Sequence, residues 1–202
     1  MTQNQSLRVA QRRDEGGFTI IEVMIAIVVL SIALLSLIAS FGAAVAATQS
    51  AQYDLIARQK VLEAMESIYT ARNSQQIPFA SLANTSSGGI FVTGAQPLLC
   101  PGPDGLVGTG DDVACTTVAG ATCPDGGAEC MVLPGPDGIL GTPDDVIMSL
   151  GNFSRTITLA PVLLPSGVTN PNMMAITITV SYTNGGLPGK SFTANGLISS
   201  YH

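Results

Sequence analysis

From Val23 to Tyr53 the chain carries no charged residue, and nothing else in the sequence constrains its fold as strongly. The 30 residues from Phe18 to Ala47 are almost wholly apolar. As a helix they would extend about 45 Å, enough to cross a bilayer and protrude. One ionisable group, Glu22, lies just inside the head of this run. A carboxylate in a membrane segment is costly and marks a functional position by default. The run is about twice the length of a secretory signal core, and the pair Gly16-Gly17 precedes it instead of following it. Arg8, Arg12 and Arg13 stand before the run. They place the N-terminus in the cytoplasm and the C-terminus outside.

The segment RRDEGGFTIIEVMIAIVVLSIALLSL, from Arg12 to Leu37, resembles the N-terminus of a type IV prepilin or a type II secretion pseudopilin. The likeness rests on a short polar leader ending in Gly17, the aromatic Phe18, the glutamate at the fifth position counted from it, and an unbroken apolar helix. It implies cleavage by a prepilin peptidase between Gly17 and Phe18 and methylation of the new Phe18 amine, leaving residues 18–202. Residues 1–17 are then the leader and residues 18–47 the membrane and filament-core helix. When such helices stack in parallel, Glu22 of one subunit approaches the Phe18 amine of the next, an attraction strengthened by a low dielectric provided both charges are paired. The patterns VVLSIALLSL and LIARQKVLEAMESI look most like PilV-type minor pilins. The partners this implies are other pilin subunits, the peptidase, an inner-membrane assembly platform, and membrane lipid before assembly.

Beyond the apolar run, residues 48–77 read as an amphipathic continuation of the same helix. Leu55, Leu62, Met65 and Tyr69 form a stripe, with Asp54, Arg58, Lys60, Glu63 and Glu66 off it. No proline occurs before Pro78, so one helix of about 55 to 60 residues is expected. Residues 78–99 form a connecting segment. Within residues 147–202, the stretches FSRTITLAPVLL, MMAITITVSYT and KSFTANGLISS read as strands, and NGGLPG between the last two reads as a turn. In the second, Ile176, Ile178, Val180 and Tyr182 alternate with Thr177, Thr179 and Ser181, which implies one face on the helix and one in water. The expected fold is α+β and type IV pilin-like. A long N-terminal helix, membrane-spanning in its first half, packs on a small antiparallel sheet, with a disulfide-stapled loop insertion.

Residues 100–146 form that insertion. PGPDGLVGTGDDV at Pro101–Val113 returns as PGPDGILGTPDDV at Pro134–Val146, identical at ten of thirteen positions. The insertion contains eight carboxylates and no Lys or Arg. Oxygen-rich, glycine-bent loops of this kind suit calcium, with Asp104, Asp111 and Asp112 in one copy and Asp137, Asp144 and Asp145 in the other as candidate ligands. The competing reading is a pair of solvated turns, with Pro-Asp-Gly supplying the geometry and the acids solubility. Cys100, Cys115, Cys123 and Cys130 suit disulfides in an oxidising compartment. Three connectivities exist, of which nearest-neighbour pairing would staple two small loops. Intervals of 14, 7 and 6 residues between them do not match a zinc ribbon.

A net charge of −6 with eight basic residues disfavours nucleic-acid binding. The lone histidine, His202, and loosely held loop carboxylates do not make a catalytic centre, so no enzyme is expected. The leading expectation is a minor pilin of a type IV pilus-like filament. It would sit in the bacterial inner membrane as a single-pass protein before moving to the filament at the cell surface or in the periplasm, with no essential cofactor. Two alternatives stand beside it: a type II secretion pseudopilin, and a calcium-dependent adhesin using the acidic insertion.

Overall fold

The computed structural model describes residues 17–118, 120–183 and 189–201. The basic leader, the NGGL and Pro188 portion of the last turn, and His202 lie outside the described residues. The chain forms two compact units that meet after Thr48.

In the first unit the helix α1, Ile20–Asn73, begins and runs bare. Every described residue through Gln49 is exposed, Phe18 and Ile20 at 81% and 82%. An apolar surface of this length requires lipid or other helices around it. The hydroxyls along it donate to the helix's own carbonyls, Ser31 to Ile27, Ser36 to Ala33, Ser40 to Ser36 and Thr48 to Ala44. No polar group of theirs is then left to be solvated by hydrocarbon. Among the described residues this is the one helix long and apolar enough to cross a membrane.

In the second unit the helix becomes one-sided. Ile56, Ala57, Lys60, Val61, Ala64, Ile68, Ala71 and Arg72 are buried, a 3.6-residue stripe whose alanines let a sheet approach closely. This corrects the expected stripe in part. Met65 and Tyr69 do pack against the core, but Leu55 and Leu62 point outward at 66% and 60% exposure while Lys60 is buried. Lys60 tolerates burial because its ammonium donates to Glu63 Oε2 at 2.8 Å and to Glu129. The helix stops before Pro78. Gln75 turns left-handed at φ 59°, its N–H donating to the Arg72 carbonyl and that of Gln76 to Ala71. These are the two bonds of a Schellman cap, with glutamine where glycine is usual.

Among the described residues eight strands follow: β1 (Gln96–Pro97), β2 (Thr117–Val118), β3 (Ala121–Thr122), β4 (Cys130–Leu133), β5 (Val146–Ser149), β6 (Phe153–Leu163), β7 (Thr169–Tyr182) and β8 (Lys190–Ser199). The main sheet is antiparallel in the order β1-β6-β7-β8. β2 with β3, and β4 with β5, make two small hairpins. Along β6 the residues Phe153, Arg155, Ile157 and Leu159 are buried, and along β7 Ile176, Ile178, Val180 and Tyr182. On the opposite face Thr177 meets Asn195 and Thr179 meets Thr193, each at 2.8 Å. The three long strands and the alternation of β7 match the expectation. The fold is a type IV pilin-like α+β arrangement, its amphipathic half-helix lying on an antiparallel sheet, with disulfides in a loop region.

The connecting segment contributes more than a link. β1 covers only the Ser154–Arg155 end of β6. Beyond it the buried Asn84 takes over, its Nδ2 donating to the Ile157 carbonyl at 2.7 Å and its Oδ1 accepting from the Leu159 N–H at 2.9 Å. One side chain thus completes a strand edge that would otherwise be buried unpaired.

Candidate functional site

Two regions carry the sequence-derived candidates. The first is the head of α1. Gly17 is exposed and open, with nothing within 4 Å of where a Cβ would sit. Phe18, Glu22, Ala26 and Leu30 recur at intervals of four and line one shallow strip of helix face with Val23 and Ile27. Phe18, just ahead of the helix, and Glu22 in its first turn therefore share one strip of surface. Thr19 supplies the N-cap that the sequence reading missed. Its Oγ1 accepts from the Glu22 N–H at 3.3 Å, and its carbonyl accepts from Glu22 and Val23. The signal was present as Thr19-Ile20-Ile21-Glu22, the spacing of a capping box. The Glu22 carboxylate also stands in the first turn, where the helix dipole favours negative charge.

The second region is the repeated insertion, whose two copies fold alike. Leu106 N–H donates to Asp104 Oδ1 and Ile139 N–H to Asp137 Oδ1, both at 2.8 Å. Gly108 N–H donates to Asp112 Oδ2 and Gly141 N–H to Asp145 Oδ2, both at 2.7 Å. Thr109 Oγ1 donates to Asp111 and Thr142 Oγ1 to Asp144, both at 2.6 Å. The bends fall at glycines with φ of 70° and 82° in one copy and 71° and 89° in the other, a conformation that side chains resist. The threonine hydroxyls hold the Asp111 and Asp144 carboxyls below the ordinary value. Burial pushes Asp112 up, against the pull of its backbone donors and of Arg155.

These contacts engage the carboxylates in closing their own loops. Among the described residues no three His, Cys, Asp or Glu side chains are grouped to hold a metal ion.

The disulfides pair nearest neighbours, Cys100 with Cys115 and Cys123 with Cys130. Cys115, Cys123 and Cys130 pack into one small buried cluster with Cys100 and Val118 against it. The insertion of residues 100–146 is tied to the rest of the second unit. Leu106 and Val107 belong to the main core, and Glu129 joins the helix through Lys60. The β4–β5 hairpin also straddles its expected end at Val146.

The prokaryotic N-terminal methylation motif matches residues 12–38. No curated protein and no solved structure matches the chain. The matched segment contains Gly17, Phe18, Thr19 and Glu22, the residues that form the head of the bare helix. The chain thus carries a prepilin-type methylation motif consistent with the broader type IV pilin and pseudopilin family.

Proposed function

We propose that the chain is a filament subunit, a PilV-type minor pilin cut after Gly17, methylated on Phe18, and assembled through its apolar helix. One observation carries this reading. A methylation motif ends on a helix whose first 30 described residues are bare, with Phe18 and Glu22 exposed on one strip at its head. A plain anchor needs the apolar length but has no use for a carboxylate there. In a bundle of parallel helices the Glu22 carboxylate of one subunit has the new Phe18 amine of another to neutralise it. Prepilin peptidase, other pilins and an inner-membrane assembly platform are the partners this requires.

The experiment is Glu22→Ala in the full chain, followed by membrane fractionation and recovery of sheared filaments. Insertion and processing are expected to persist while incorporation falls about tenfold or more, the scale of one lost buried charge pair. Normal incorporation would reduce Glu22 to an interfacial carboxylate. A secreted substrate that depends on the chain, with no surface filament, would favour the secretion pseudopilin instead. For the acidic loops, calcium titration calorimetry comparing wild type with Asp111→Ala/Asp144→Ala separates cation capture from hydrogen-bonded turns. Equal heats remove calcium, and with it the calcium-dependent adhesin.

A further inference from the structure

The two copies of the repeat share their internal hydrogen bonds but not their surroundings. In the first, Leu106 and Val107 are 1% and 4% exposed, whereas the corresponding Ile139 and Leu140 of the second are 60% and 61% exposed. The first copy also shows what such a loop seats upon. Gly108 lies so close to Ile157 that a Cβ would come within 2.6 Å of its Cδ1, and Asp112 Oδ2 stands 3.9 Å from the Arg155 guanidinium. Its complement is thus an arginine beside aliphatic side chains. The second copy keeps the aliphatic pair and the matching carboxylate, Asp145, but among the described ion pairs Asp145 has no cation.

Only five Lys or Arg residues lie beyond the membrane segment. Lys60, Arg72 and Arg155 are buried, and Lys190 is paired with Asp54. Arg58 is exposed, rests over the Phe192 ring at 5.0 Å, and makes no ion pair among the described residues. Leu55 and Leu62, the two outward-facing leucines, flank it on the same helix face, with Gln59, Glu63 and Glu66 beside them. Glu63 is engaged by Lys60. The outer face of α1 therefore repeats, in the open, the combination that the first copy meets inside the fold.

We propose that the second repeat is a docking knuckle, seating Ile139, Leu140 and Asp145 of one subunit on Leu55, Arg58 and Leu62 of a second copy of this chain. This rests on the filament reading. Loop and helix face are different surfaces of one chain, so along a filament the contact runs head-to-tail, each subunit offering its loop to one neighbour and its helix face to another. The carboxylate and guanidinium set the register, and the aliphatic groups leave water.

The test places a photo-crosslinking benzoylphenylalanine at Leu140 of the full chain in its own membranes and filaments, and a second probe at Leu35 as a report on helix bundling. The expected adduct joins two copies, with the linked peptide inside residues 55–66. Arg58→Asp should lower its yield about tenfold, whereas Arg58→Lys should keep it within about twofold, as a register set by charge requires. Intact disulfides and an unchanged melting temperature establish that these variants fold. Adducts from Leu35 but not from Leu140, a Leu140 adduct to another protein or another region, or an equal yield in Arg58→Asp and wild type would each overturn the docking contact alone. Loss of copy-to-copy adducts at both probes would overturn the filament reading and the contact with it.

Discussion

Tyr69 on the helix fills the space that a side chain at Gly196 would need. A Cβ there would lie 2.5 Å from the Tyr69 hydroxyl oxygen and 3.1 Å from Met65 Sδ, and that hydroxyl donates to the neighbouring Leu197 carbonyl at 2.9 Å. Helix and sheet approach closely at this strand glycine. Gly196→Ala is expected to destabilise the protein by about 2 kcal/mol through overpacking. Urea denaturation of the full chain in detergent measures it, and adding Tyr69→Phe should recover part of the loss by removing the obstructing oxygen.

Asn84 gives a second prediction. Replacing it by leucine keeps its branching and number of side-chain heavy atoms but strands the Ile157 carbonyl and the Leu159 N–H it now serves. The expected cost is about 2 to 3 kcal/mol. Amide hydrogen exchange at Leu159 should accelerate, while the β6–β7 pairing on the other side of that strand stays protected.

The Lys60 cluster tests the link between insertion and helix. Glu129→Ala leaves a buried ammonium with only Glu63, itself 45% exposed. About 2 kcal/mol of stability should be lost. The double variant Lys60→Met/Glu129→Ala should be more stable than Glu129→Ala alone in the same denaturation assay, because it leaves no buried charge unpaired.

Tyr182 sets a pH window, because its hydroxyl donates to Asp54 Oδ1 at 2.6 Å. Burial, reinforced by that bond, pushes the phenol from 10.0 up to about 12. Its raised value means that the stabilisation is complete below pH 10 and is lost as pH rises toward 12. The same bond holds the Asp54 carboxyl below its ordinary 3.8, so on the acid side the contribution is present above that value and disappears as pH falls through the lowered one. Tyr182→Phe should flatten both limbs of the stability–pH curve. Equal limbs in the variant and the wild type would show that other groups set them.

The features that read out from the sequence are those decided within a few residues. The apolar run, the alternation of Ile176, Ile178 and Val180, and the turn chemistry of the repeats are local, and the structure reproduces each. The facing of the amphipathic half-helix was less legible. Leu55 and Leu62 look like core residues, and only the sheet's choice of the adjacent stripe, Ile56 and Val61, turns them outward. Lys60 is buried because a partner 69 residues away arrives to meet it, and Asn84 serves a strand 73 residues on. The repeat shows the limit most plainly. Leu106-Val107 and Ile139-Leu140 sit in nearly the same local sequence and the same local bonds, yet one pair is core and the other surface. Thr19 is the reverse case, a cap whose spacing was there to be read.

The closure of the second repeat has a practical consequence. Its turns are held by bonds that begin and end between Gly135 and Asp145, and it sits at the tip of a two-stranded hairpin. Such a loop brings its own scaffold, so foreign peptide could be grafted there, or the loop moved to another hairpin, without rewriting the surrounding fold. The first copy permits neither, since its Leu106 and Val107 are built into the core. Of two nearly identical stretches, one is a fixture and the other is transplantable.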